Sequence, residues 1–153
     1  MTTRLYLHAT PITLQPAHGE AIALALSLDR LLADGLARFP PGEAAIERAI
    51  ATTEDALMPH VAALRAHPVE VLWVADDGLA ALPTLLGDEA RTRWHIDAVE
   101  RAFNLLADVA AGLPAHHAGL PAQPRFIAAL VVVRELMHHV GWQQLQLQLP
   151  QPD

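Results

Sequence analysis

Cysteine is absent from the 153 residues, so disulfides and thiolate metal sites are excluded. Lysine is absent too. The 10 basic residues are all arginines, scattered singly against 17 acidic residues, and the formal net charge is −7. A phosphate backbone is repelled by such a surface on average, which argues against nucleic acid as a partner. Serine occurs once, at Ser27, and no Gly-x-Ser-x-Gly elbow surrounds it. Ser27 falls where a helix is expected and reads as a small polar surface residue. The phosphate-cradling patterns G-x-x-x-x-G-K-[ST] and G-x-G-x-x-G are missing as well. Long apolar runs are also missing. The longest, Phe126 to Val133, is far short of the roughly 20 residues a membrane helix needs. The start, Met1-Thr2-Thr3-Arg4-Leu5, lacks the charged-then-apolar order of a signal peptide. The expectation is a soluble, cytoplasmic protein with no membrane contact.

What is present is apolar: 52% hydrophobic and 18% charged residues, enough for one folded domain over residues 1–153 with 149–153 as a frayed tail. Leu5 to Leu14 reads as a strand that Pro11 places at an edge or bend. Glu20 to Phe39 reads as a helix on Leu24, Leu28, Leu31 and Leu32, stopped by Pro40-Pro41-Gly42. A second helix is expected from Glu43 to Ala66, kinked or restarted at Pro59. Val69 to Ala75 is almost wholly apolar, as in a strand covered on both faces. A short helix over Leu79–Leu86 follows. Asp97 and Glu100 fit a capping box that opens a helix through Val99, Phe103, Leu106 and Ala110. A Pro/Gly loop covers Ala115–Pro124. A helix over Arg125–Val140 is then capped by Gly141. Gln143 to Leu149 alternates Gln and Leu, as in a strand with one wet face. The order implies an α/β fold with a small sheet of about three strands and five or so helices. The strands Leu5–Leu14 and Gln143–Leu149 would be edges in need of cover.

That order resembles the second, C-terminal domain of the exopolyphosphatase and guanosine-pentaphosphate phosphatase family. The helix Glu54-Asp55-Ala56-Leu57-Met58-Pro59-His60-Val61 carries an embedded L-x-P and leads into the strand Val69–Ala75. A Gly-containing turn and Leu79-Ala80-Ala81-Leu82 follow. Gly119-Leu120-Pro121 and the helix ending Leu136-Met137-His138-His139-Val140-Gly141 complete the pattern, over about residues 43–149. Residues 5–14 would match the strand and turn before the first helix. The resemblance implies one subdomain of the actin-like, ribonuclease-H-like ATPase fold, whose phosphate ligands lie in a cleft between two such domains. The chemical motifs of that family do not carry over. Its first-domain Asp-x-Gly-Ser turn and water-orienting glutamate have no match in these residues, nor does the Gly-rich hairpin that opens its second domain. Where it has Gly-x-Ser-Gly-Thr, this sequence has Ala75-Asp76-Asp77-Gly78-Leu79. Two adjacent carboxylates repel an anion that free backbone N–H groups would otherwise hold. No catalytic residue is assigned.

Three functional readings remain. Asp76, Asp77 and Gly78 follow the buried strand, where ligands collect in open α/β sheets. They are the candidate ligand site, either for Mg2+ or Ca2+ held by their oxygens through water or as a simple Asp-Gly turn. Glu135, His138 and His139 are the candidate metal residues, with Glu135 and His139 at i, i+4 as the plain helical alternative. His95, His116 and His117 would join a zinc site only if three or four ligands converge within about 2.1 Å of the metal. Trp73, Trp94 and Trp142 read as core and rim. The leading expectation is a non-catalytic interaction, scaffold or regulatory module that self-associates through strand edges, or binds a protein partner there, with no cofactor. The alternatives are a domain that binds or hydrolyses polyphosphate or a guanosine alarmone with a partner domain and Mg2+, and a small histidine metal-binding protein.

Overall fold

A computed structural model describes residues 2–66 and 71–147. Its sheet has six strands rather than about three. They are β1 (Thr2–Tyr6), β2 (Thr13–Gln15), β3 (Ile22–Ala23), β4 (Val71–Val74), β5 (Arg93–His95) and β6 (Gln144–Leu147), in the order β3-β2-β1-β4-β6-β5. β1, β4 and β6 run parallel at the centre, while β2, β3 and β5 are antiparallel to their neighbours. Six α-helices accompany them: α1 (Leu28–Leu31), α2 (Glu43–Arg65), α3 (Leu82–Leu85), α4 (Ile96–Ala110), α5 (Ala115–Ala118) and α6 (Pro124–Val140).

The three additional strands come from segments with ambiguous patterns. Leu5–Leu14 is not one strand: it leaves β1 after Tyr6 and returns as β2, with Pro11 in the bend. The expected helix from Glu20 is a strand in its first part. Leu24 and Leu26 are buried while Ala23 and Ala25 are exposed, a period of two. Ile12 N–H donates to Leu26 O (2.8 Å) and Leu24 N–H to Ile12 O (2.9 Å), which extends the hairpin. The helix begins only at Leu28, where the Ser27 hydroxyl accepts from Arg30 N–H at 3.1 Å. Ser27 is therefore an N-cap and not a mid-helix residue. α1 then continues as one π-helical turn, Leu32–Leu36. β5 was not expected at all. It places Trp94 opposite Leu145.

The corrections elsewhere are smaller. α2 runs through Pro59 without restarting. Asp55 and Pro59 are both exposed, so the carbonyl that proline leaves without a partner faces water. α4 is capped by His95, whose Nδ1 accepts from Asp97 N–H at 3.2 Å, and not by Asp97. α5 forms within the expected Pro/Gly loop. Gly141 ends α6 at φ 87°, a left-handed turn that suits glycine. Parts of the two expected strands, residues 69–70 and 148–149, and the tail 150–153 lie outside the described residues.

The strand registers divide the sheet into two faces. Thr3, Leu5, Leu14, Leu72, Val74, Trp94, Leu145 and Leu147 are buried on one face, and the apolar ones join the helices in a single core. Leu72 and Val74 alone contribute about 1.5–3 kcal/mol each by leaving water. α6 is buried almost all round and packs against α1, α2 and α4. The other face carries Gln15, Arg4, Trp73, Gln146 and Arg93 in one cross-strand row. These side chains are half-buried or exposed, with the Arg4 guanidinium 4.8 Å from the Trp73 ring centre. Among the described residues β4 is thus covered on one face and not on both. β1, β2 and β6 lie inside the sheet, so the strands expected to be its edges are not; β3 and β5 are.

Candidate functional site

The carboxyl ends of parallel β1 and β4 bring three separate chain segments together. Beyond β4, Ala75 N–H still donates to Leu5 O at 2.8 Å, which draws the Asp76-Asp77-Gly78 turn against the bend that follows β1. Gly78 is needed there because a Cβ would stand 2.6 Å from Leu7 Cδ1 and 3.0 Å from Leu7 Cβ. Asp76 ties the two loops. Its Oδ2 accepts from the His8 N–H at 2.9 Å, and its Oδ1 accepts from the Gly78 N–H at 3.1 Å.

Asp77 projects outward and takes part in a chain of polar contacts. His8 Nε2 lies 2.6 Å from Asp77 Oδ1, and Arg125 Nη2 lies 3.0 Å from His8 Nδ1. Arg125 Nη1 donates to Asp29 Oδ1 at 2.6 Å. An arginine only donates, so His8 Nδ1 accepts and the ring proton sits on Nε2, facing Asp77. A cleft of about 410 Å3 adjoins this chain, lined by His8, Asp77, Gly78, Gln123, Arg125 and Phe126. Arg125 is paired with Asp29, and the exposed Asp77 carboxylate lines the cleft, so its mouth carries no surplus of positive charge for an anion.

The structure brings Asp76, Asp77 and Gly78 together, as their adjacency requires. It adds His8 and Arg125, which sequence reasoning missed. Those two residues are 117 positions apart and no local pattern links them. The proposed metal trio is split. His138 Nδ1 stands 3.8 Å from Glu100 Oε1 on α4, whereas His139 Nε2 faces Glu135 Oε2 at 3.1 Å. The i, i+4 pair therefore forms, and Glu54 of α2 joins it at 3.5 Å. The His116 and His117 rings pack against each other in a T-shaped arrangement on α5, and His95 caps α4, so those histidines do not converge with the α6 pair. Trp94 and Trp142 are core, as expected, and Trp73 belongs to the open face.

A hairpin leading into parallel central strands, with helices layered on one face, defines a mixed-sheet α/β domain. Three solved structures, all from Aquifex aeolicus, share it. A member of the Ppx/GppA protein family matches with TM-score 0.64 and 10% identity, over 97% of this chain and 52% of its own. A Ppx-GppA enzyme structure gives TM-score 0.69 at 11% identity, over 97% and 53%. The type II variant of the Ppx/GppA phosphatase gives 0.61 at 11%, over 97% and 53%. The chain spans about half the length of these structures, and at such identity what is shared is the fold. The resemblance read from helix and strand order is thus a resemblance of fold. With 97% of the chain covered, it takes in the hairpin region as well as the helices and strands that follow Glu43. No protein-family model matches the sequence, and neither does any curated protein.

Proposed function

We propose that this phosphatase-like domain is non-catalytic and works as an interaction or scaffold module. One observation carries the reading: the Asp76 carboxylate already accepts the backbone N–H groups of His8 and Gly78. A phosphate loop works by offering such amides to an anion. Here a built-in anion holds them. An incoming phosphate would have to displace Asp76 and then sit beside Asp77. Each unit-charge pair at 4 Å costs about 1 kcal/mol in water and about 4 kcal/mol near a protein surface. The test is phosphate release from guanosine pentaphosphate and short polyphosphate with Mg2+ on purified protein. No release above buffer is expected. Release that is lost in Asp76→Asn or Asp77→Asn contradicts the reading.

The surface we assign to association is the open sheet face around Arg4 and Trp73, in place of the strand edges. It borders a cavity of about 530 Å3 lined by Arg4, Gln15 and Trp73. A second copy of the chain is the occupant we test. Sedimentation velocity of untagged protein should show a concentration-dependent dimer that Trp73→Glu weakens at least tenfold. A monomer at every concentration contradicts self-association.

The second reading, a domain that handles a phosphorylated ligand with Mg2+ and a partner domain, draws support from the cleft of about 410 Å3 and from Arg125 on its wall. Under that reading Asp76 and Asp77 hold Mg2+ through water and Arg125 meets a phosphate oxygen. A rise in Tm with guanosine tetraphosphate plus Mg2+, and with neither alone, would favour it.

A further inference from the structure

Glu135 is 2% exposed, on a helix whose other buried residues are all apolar. A carboxylate at that depth is costly unless its lone pairs are engaged. Oε1 receives Arg134 Nη1 at 2.7 Å. Oε2 faces His139 Nε2 at 3.1 Å, and the same ring nitrogen lies 3.5 Å from Glu54 Oε1 of α2. All three ligand atoms fall within 4.8 Å of one another. In a tetrahedral zinc site, bonds of about 2.0–2.1 Å place neighbouring ligand atoms about 3.4 Å apart. The distances from His139 to its two carboxylate partners lie on either side of that value.

We propose that Glu54, Glu135 and His139 form a three-ligand site for Zn2+, or a divalent cation of like preference, with water as fourth ligand. Such a site would pin α2 to α6. The imidazole nitrogen favours zinc over Mg2+ or Ca2+, which take oxygen ligands. Arg134 leaves Oε2 free while holding Oε1, so Glu135 is oriented before metal arrives. Arg65 fixes the last turn of α6 by donating to the His139 carbonyl through Nε (3.0 Å) and Nη2 (2.6 Å). Glu54 and His139 are half-buried to exposed, which leaves the ion a way in. On binding, Zn2+ takes the Nε2 lone pair, and any proton on that nitrogen passes to solvent. The sequence pattern Glu135-x-x-His138 is not the site, because His138 turns to Glu100.

Equilibrium dialysis of untagged protein against Zn2+ tests this, with His139→Ala, Glu54→Gln and the control His138→Ala. One equivalent should bind to the wild type and to the control, and raise Tm by several degrees near saturation. A group that merely orients a ligand is worth about 10- to 100-fold in affinity, so losing His139 should weaken binding at least about 100-fold. Glu54→Gln should weaken it at least about tenfold. Circular dichroism of both variants without metal should match the wild type, since their side chains lie at the rim of the core. The absence of one-equivalent binding overturns the proposal, as does binding that both variants retain or that His138→Ala abolishes.

Discussion

Two clusters in this molecule are built from the same kinds of side chain and end in different states. At the carboxyl ends of β1 and β4, the Asp76 oxygens are committed to backbone N–H groups, and Asp77 stands in solvent beside His8. Between α2 and α6, the Glu135 oxygens are held by Arg134 and a histidine nitrogen, with a second carboxylate close behind. The first cluster neutralises its own potential as an anion cradle. The second places one histidine nitrogen 3.1 Å and 3.5 Å from two carboxylate oxygens, the donor set of the zinc site we propose. The difference lies in what each lone pair already faces, and it is set by tertiary contact. A motif of acidic residues is therefore no measure of what it binds.

The largest effect should come from the buried member of the second cluster. Glu135→Ala leaves Arg134 without its deepest partner and should cost about 2–4 kcal/mol, below the 3–5 kcal/mol of a fully buried pair because Arg134 reaches solvent. Urea unfolding at unchanged m-value reads it, and a loss under about 0.5 kcal/mol would remove the contrast between the clusters. Asp76→Ala comes next. Two backbone N–H groups lose their acceptor where water has partial access, so about 1–3 kcal/mol is expected in the same assay. Asp77→Asn should be smallest, within about 0.5 kcal/mol, because that residue is exposed. If Asp77→Asn proved as costly as Asp76→Ala, the chain from Asp77 through His8 and Arg125 to Asp29 would be structural and not a solvated rim.

How much of this was legible in the sequence depends on how local each signal is. α2, α4 and α6 follow from the spacing of Ile46, Leu57, Val99, Phe103, Leu130 and Val133, and the end of α6 from Gly141. The hairpin did not, because Leu24, Leu28 and Leu31 satisfy a helical period while Ile22, Leu24 and Leu26 satisfy a period of two. Ser27 was the deciding signal: as an N-cap it starts the helix at Leu28 and leaves Ile22–Leu26 extended. Ser27→Ala should cost about 1 kcal/mol, as a cap does. β5 is three residues long and made by pairing with β6, so it leaves little local trace. The Asp76-Asp77-Gly78 turn was legible because its residues adjoin. His8, Arg125 and Glu54 were not, since each reaches its cluster only through the sheet or through helix packing.

The central claim is that Asp76 occupies the amides a phosphate would need. The most direct test follows the backbone amide resonances of His8 and Gly78 during titration with tripolyphosphate and Mg2+. Both resonances should stay in place throughout. A saturable shift of both amides at one equivalent in the wild type, no larger in Asp76→Ala, would contradict the claim and make the loop a working phosphate site.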